Sequence, residues 1–298
     1  MELLGNLKNT KVKKFQIKSF CKINLSLKVI KKLNNDFHKI MSLITFCSIH
    51  DTISISQINS QKDKIEFSGK FKIGIYKKNN TLTKMFDLLR NQNLLKNEFF
   101  KINVKKNIPH GSGLGGGSSN AAYLLNFLNS KFKLSLTQNS KEQLARKIGS
   151  DVPIILEKKN SFLTGKKNEI LRINRKFRLN LLIIYPNLRC STKTVYNENT
   201  LAGTSKQHSK LYKINNKKLI SSLKDANNDL ERAVINIYPK VKKIIDYIKT
   251  QKGCYFSRIT GSGSACIGIF SNMKNAIKAK KMIKKKYPKY WCIVSKTI

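Results

Sequence analysis

The segment PHGSGLGGGSSNAA, residues 109–122, constrains this chain more than any other. It holds five of the chain's 15 glycines, three serines, and no Lys, Arg, Asp or Glu, in a protein of formal net charge +43. The strand-like run FFKINVKK precedes it and the helix-like run SSNAAYLLNFLNS follows it. Glycine permits positive φ and close backbone approach. A helix start offers unpaired N–H groups and a partial positive charge. Strand, glycine loop and helix together make a cradle for an anion that needs no charged side chain. Ser118 and Ser119 are expected to cap the helix, to donate to phosphate, or to sit in the shell of a magnesium ion.

Three phosphate or nucleotide motifs compete for this loop. A Walker A loop needs Lys where Gly117 stands, which excludes it. The dinucleotide pattern G-x-G-x-x-G fits Gly111, Gly113 and Gly116. It also asks for an acidic residue about 20 residues on, and none occurs between Glu98 and Glu142. The V-A-I-K, H-R-D and D-F-G set of protein kinases is absent.

At 298 residues the chain can bury one large core or two smaller ones. No stretch approaches the roughly 20 apolar residues of a membrane span, and the first 20 residues lack the apolar core of a signal peptide. The expectation is a cytoplasmic protein with no membrane partner. The six cysteines form no C-x-x-C pair and read as scattered, mostly buried thiols. Of the 59 basic residues only eight are Arg, and Lys, Asn and Ile are abundant throughout. Without a basic stripe or an Arg cluster, this reads as compositional drift rather than a specific nucleic-acid surface. The excess positive field should still draw anionic ligands.

Alternating runs at KFQIKSF, KINLSLKVI, HDTISISQI and KIEFSGKF predict strands. Leu82, Met85, Phe86 and Leu89 fall on one side of a predicted helix. A second helix over SKEQLARKIG is expected to open with a Ser140/Gln143 capping box and to stop at Gly149. SDVPIILEK is expected to enter a strand, with Pro153 ending any helix. From about residue 162 the pattern changes, beginning with a hairpin. Taking the buried strand RLNLLIIYP as first, helices near NKKLISSL and YPKVKKIIDYIK, strands CYFSRIT and ACIGIF, a helix and a last strand give the order β-α-β-β-α-β. That is the ferredoxin-like order with a long first crossover. Two α+β domains follow, 1–162 and 163–298.

The loop P-x-x-x-G-L-G-x-x-S-S-x-A-A resembles the signature of the GHMP kinases. KINL (22–25), DFHKI (36–40), HDTISI (50–55), GSDVP (149–153), NDLE (228–231) and TGSGSACIGIF (260–270) extend the resemblance over nearly the whole chain. It implies an N-terminal domain like ribosomal protein S5 domain 2 and a ferredoxin-like C-terminal domain. The loop Pro109, His110, Gly111, Ser112, Gly113, Leu114, Gly115, Gly116, Gly117, Ser118 and Ser119 would hold the phosphates of ATP, with Mg²⁺ as companion ion and no dedicated protein metal site. Asp151 would take the proton of the attacking hydroxyl. Lys22 would stabilise negative charge on that oxygen or on the transferring phosphoryl group.

GGGSSNAA, GSDVP and the early Phe-His pair resemble one branch of the family. That branch phosphorylates the 2-hydroxyl of a CDP-linked methylerythritol on the non-mevalonate route to isoprenoid precursors. Phe37 would then stack on cytosine, His38 would bond its edge and Tyr196 would cover its other face. Asn24, Gly261 and Gly263 would also lie against substrate. Homoserine or mevalonate kinase is the alternative within the family, and an S5-like RNA-binding protein the alternative outside it. The resemblance leaves monomer or homodimer open. Four departures from the family pattern flank the reacting groups: Phe20 and Cys21 for Pro and Ala, His110 where Met is common, and Ser112 for Gly. In the cytosine site Phe37 stands for the usual Tyr.

Overall fold

A computed structural model describes residues 13–33, 38–76, 78–165, 169–200 and 211–298. Its spine is strand β3, His38–Ile58. One edge of β3 carries β1 (Lys14–Asn24) and β2 (Lys28–Lys32). After β4 (Lys64–Ser68), the other edge carries β5 (Phe99–Lys105) and β6 (Asn160–Thr164). Strand β4 extends the sheet alongside β5 in parallel, and β7 (Ile170–Ile173) extends it antiparallel to β6. A second sheet of four antiparallel strands begins at β8 (Asn180–Tyr185) and adds β9 (Cys254–Ile259), β10 (Cys266–Phe270) and β11 (Trp291–Lys296). Its spatial order β11-β8-β10-β9 is that of the expected ferredoxin-like unit.

The two sheets lie between two layers of helix. Helices α1 (Thr81–Asn91), α2 (Gly116–Lys131), α3 (Gln138–Ile148) and α4 (Val152–Ile155) cover one face of the first sheet. Leu82, Met85, Phe86 and Leu89 join Phe100, Ile102 and Leu125 in that core, as the helical spacing predicts. Between the sheets, Ile23, Leu25 and Leu43 meet Leu181, Ile183, Ile267 and Ile269. Beyond the second sheet, Leu182 and Ile184 meet Ile244 and Ile283 of its helices. Strand β8 is thus buried on both faces, which is why its sequence is continuously apolar rather than alternating.

A register shift between Phe20 and Lys22 positions the site. Before it, Phe15 and Ile17 face the helices. After it, Cys21, Ile23 and Leu25 face the second sheet. One extra residue reverses the faces of a strand. Lys22 and Asn24 therefore turn toward the start of α2.

Four local expectations need correction. No serine caps α2: Gly115 does so in the left-handed region (φ +67°) with no side-chain cap, and Ser118 and Ser119 lie in the first turn. Helix α3 is capped by Thr137, whose hydroxyl accepts from Ser140 N at 3.2 Å, so the Ser140/Gln143 box does not form. Pro153 sits in the first turn of α4, where its missing N–H costs nothing, so GSDVP opens a helix rather than a strand. The run KINLSLKVI is broken between β1 and β2 by residues 25–27. Two helices, α5 (Thr192–Glu198) and Leu230–Ile237, have no counterpart in the sequence reading.

Candidate active site

The glycine loop, the end of β1, the start of α4 and the start of α5 surround a cavity of about 1000 Å³. Lys22 Nζ lies 3.2 Å from Asp151 Oδ2 across its wall and donates to Asn24 Oδ1 at 2.6 Å. Lys22 is 4% exposed overall, whereas the Asp151 side chain is 35% exposed toward the hollow. Asp151 occupies the N-cap position of α4 but makes no side-chain cap bond, so its carboxylate is not spent on helix capping. The aliphatic stem of Lys22 crosses Gly115. A Cβ there would stand 2.7 Å from Lys22 Cγ, so glycine is required by both φ and space.

The two glycine loops support one another. Ala265 N donates to Ser112 O at 3.1 Å, and a Cβ on Gly113 would lie 2.0 Å from Thr260 O. The Ser112 hydroxyl is used internally, donating to Pro109 O at 2.6 Å. His110 Nε2 donates to Ile73 O at 3.0 Å. Burial pushes its pKa below the ordinary value, and the charges of Arg189 and Lys106 act in the same direction. Gly111, Gly115, Gly116, Gly117 and Ser118 line the cavity, while Leu114 and Ser119 point away from it and are fully buried. Gly261 lines the cavity as well. Gly263 does not: it packs against Val234 and holds the loop through Gly263 N to Thr260 O at 3.0 Å.

At the far end, the rings of His38 and Tyr196 stand 4.6 Å apart, tilted by 31°. Burial, reinforced by the Asp151 charge, raises the Tyr196 phenol well above its usual pKa and keeps it neutral. Phe37, the third residue of the expected base site, lies outside the described residues. A second hollow of about 250 Å³ adjoins the cavity on the other side of Thr81 and Gly117, walled by Phe67, Ile75, Tyr76 and Leu82.

Sequence reading singled out HDTISI and NDLE without giving them roles. Asp51 and Lys106 form a fully buried ion pair, and Asp51 also accepts from Asn107 N at 2.7 Å, Ile108 N at 2.9 Å and Asn120 Nδ2 at 3.1 Å. It thereby fixes the chain that leads into Pro109. Burial lowers the Lys106 pKa and Asp51 opposes that shift. Asn228 Nδ2 donates to Gly261 O at 2.9 Å, Asp229 accepts from Val29 N at 2.9 Å, and Glu231 accepts from Ile259 N at 2.9 Å. NDLE thus pins the second glycine loop and β2 to the helix Leu230–Ile237. Among the described residues no group of three or more His, Cys, Asp or Glu could hold a metal ion, and no helix is long and apolar enough to cross a membrane.

The profile of the GHMP kinases N terminal domain matches residues 80–159, and that of the GHMP kinases C terminal matches residues 210–289. A curated relative from Pelagibacter ubique (strain HTCC1062), named 4-diphosphocytidyl-2-C-methyl-D-erythritol kinase, is 37% identical over 95% of this chain and 99% of its own. A protein of the same name from Wolbachia pipientis wMel is 32% identical over 94% and 97%. Among solved structures, a 4-(cytidine 5'-diphospho)-2C-methyl-D-erythritol kinase superposes with a TM-score of 0.74 at 21% identity, covering 95% of this chain and 99% of that one. Homoserine kinase from Cytophaga hutchinsonii reaches the same TM-score at 15% identity, covering 98% and 97%. The fold alone therefore does not separate the branches. Profiles on both halves and end-to-end identity to the relatives fix the family: the chain belongs to the GHMP kinases and is an ATP-dependent small-molecule kinase.

Proposed function

We propose that this protein transfers the γ-phosphoryl group of ATP to the 2-hydroxyl of 4-CDP-2-C-methyl-D-erythritol, giving the 2-phosphate and ADP on the non-mevalonate route to isoprenoid precursors. The observation that carries the reading is the Lys22–Asp151 pair, 3.2 Å apart, on the wall of a cavity floored by the glycine loop. Curated relatives at 37%, 33% and 32% identity carry the name of this activity.

Phosphoryl transfer needs aim and charge stabilisation rather than covalent help. The amides of residues 111–118 and the start of α2 hold the phosphates. The adenine ring occupies the smaller hollow beyond Thr81 and Gly117, against Tyr76 and Phe67. The CDP-linked alcohol fills the large cavity, with cytosine against Tyr196 and its edge on His38. Asp151 accepts the hydroxyl proton. The oxygen then bonds to the γ-phosphorus as the bond from that phosphorus to the β–γ bridging oxygen breaks. Lys22 spends one N–H on Asn24 and one on Asp151 and directs its third at the charge moving between them.

Mg²⁺ prefers oxygen ligands and is commonly shared with substrate phosphates. The donors on the wall fit that pattern: the Ser118 hydroxyl and the Asp151 carboxylate would complete a shell supplied mainly by ATP. The ion would neutralise phosphate charge. The protein is read as cytoplasmic, a monomer or homodimer, with no specific nucleic-acid partner.

Asp151→Asn tests the assignment. It removes the proton acceptor with little change of shape, and kcat should fall on the order of 10²–10⁴-fold while ATP binding stays within a few-fold. Wild-type turnover in that variant would remove Asp151 from the mechanism.

A further inference from the structure

Lys22 has three N–H donors and no acceptor. That fact fixes the polarity of everything behind it. Because Lys22 Nζ donates to Asn24 at 2.6 Å, Asn24 must present its carbonyl oxygen there. The amide nitrogen of Asn24 then points the other way and needs an acceptor. It finds Ser42 Oγ at 2.8 Å. The Ser42 proton goes in turn to Ser26 O at 2.6 Å. Lys22, Asn24, Ser26 and Ser42 are 4%, 3%, 0% and 0% exposed, so solvent does not take over any of these roles. The Asn24 backbone is held separately, its N–H donating to Thr260 Oγ1 at 2.9 Å.

We propose that Ser42 is a positioning residue for the phosphoryl transfer: through Asn24 it sets the direction of the Lys22 ammonium toward Asp151 and the transferring group. This rests on the reading of Lys22 as the charge-stabilising residue. Ser42 lies on β3 and does not line the cavity. Lys22 sets the sense of the Asn24 amide, and the Ser42 hydroxyl, accepting from its nitrogen, holds the amide at one angle. Reversed, the amide would set an NH₂ against an ammonium, two donors facing one another with no acceptor between them. Without the hydroxyl, the Asn24 nitrogen has no partner in a dry site, the amide plane is no longer held at one angle, and Lys22 loses the fixed position of one of its two anchors. An anchor lost at this point misaligns a reacting group without removing it. Misplacement of about 1 Å costs on the order of 10²-fold in rate. Because neither Ser42 nor its hydroxyl meets substrate, the loss falls on kcat.

The test is steady-state kinetics on the full chain with ATP, Mg²⁺ and the CDP-linked alcohol, for Ser42→Ala, Ser42→Thr, Asn24→Ala, the Ser42→Ala/Asn24→Ala double variant and Lys22→Ala. Ser42→Ala should lower kcat about 10- to 100-fold with both KM values within two- to three-fold of wild type. Ser42→Thr, which restores the hydroxyl, should recover most of that loss. The double variant should be no slower than Asn24→Ala alone, because Ser42 acts only through Asn24. Should Ser42→Ala fail to fold, Ser42→Cys keeps the volume, weakens the acceptor and is read by the same kcat-against-KM split. Unchanged kcat in Ser42→Ala, a change confined to KM, or multiplicative losses in the double variant would overturn the proposal. Wild-type turnover in Lys22→Ala would instead overturn the underlying reading of Lys22. An inactive Lys22→Ala beside a fully active Ser42→Ala overturns the role of Ser42 alone.

Discussion

Replacing Asp51 by Ala should cost more stability than replacing its partner Lys106 by Met, and the reason lies in what each change leaves behind. Both side chains are buried, at 0% and 1% exposure. Asp51→Ala strands a buried ammonium, and breaking a buried pair from one side costs about 3–5 kcal/mol. It also takes the acceptor from Asn107 N and Ile108 N. Asn107 is partly open to water, whereas Ile108 is fully buried, and one orphaned buried donor costs about 1–3 kcal/mol. Lys106, whose pKa burial already lowers, escapes part of the penalty by releasing its proton. The total is about 4–6 kcal/mol. Lys106→Met takes the ammonium from both Asp51 and Asn120 Oδ1 but leaves Asp51 with three N–H donors, a loss of about 2–4 kcal/mol. Paired urea and thermal unfolding curves measure the difference. At roughly 2–4 °C per kcal/mol, Asp51→Ala should melt about 10–20 °C below wild type, well below Lys106→Met. Equal losses in the two variants, or a loss under about 1 kcal/mol for Asp51→Ala, would refute the view of Asp51 as the organiser of the loop's approach.

The remaining predictions concern the loop itself. Gly113→Ala should abolish the docking of the two glycine loops and with it ATP turnover, since its Cβ would stand 2.0 Å from Thr260 O at φ +79°; Gly117→Ala, whose Cβ would stand 3.3 Å from the Thr81 hydroxyl that donates to Gly117 O at 2.9 Å, should lower the melting temperature far less than Gly113→Ala. His110 has a folded pKa depressed below its ordinary 6.5, chiefly by burial. The unfolded chain therefore binds the proton first. The stability that neutral His110 contributes is present above about pH 6.5 and is lost as pH falls toward the folded value. Thermal melts from pH 5 to 7.5 should show wild type losing stability relative to His110→Gln on the acid side, and parallel curves would contradict this sign.

Much of the site was legible because it is local in sequence. The strand, the glycines and the following helix are neighbours in the chain, and so are Thr260, Gly261 and Gly263. The order of the second half could be read from apolar runs and helical spacing, because strands such as β8 and β10 are continuously apolar. What was not legible depends on distant partners. The register shift that turns Lys22 toward the loop exists only in the pairing of β1 with β3. Asp51 is one acid in an alternating strand until Lys106 and Asn107 meet it. Ser42 carries no signal at all, since its significance comes from Asn24 on another strand. The local errors share a cause. The proline in GSDVP suggests a stop, yet the first turn of a helix accepts it. Capping is one of the three roles open to Ser118 and Ser119, but Gly115 must hold the cap of α2 to clear Lys22.

The most direct test of the central claim is ADP release by the purified protein with ATP and Mg²⁺ across a panel of alcohols: 4-CDP-2-C-methyl-D-erythritol, homoserine and mevalonate. The account predicts turnover on the CDP-linked alcohol, with the new phosphate on its 2-hydroxyl, and none above background on the other two. Turnover on homoserine or mevalonate with none on the CDP-linked alcohol would contradict it.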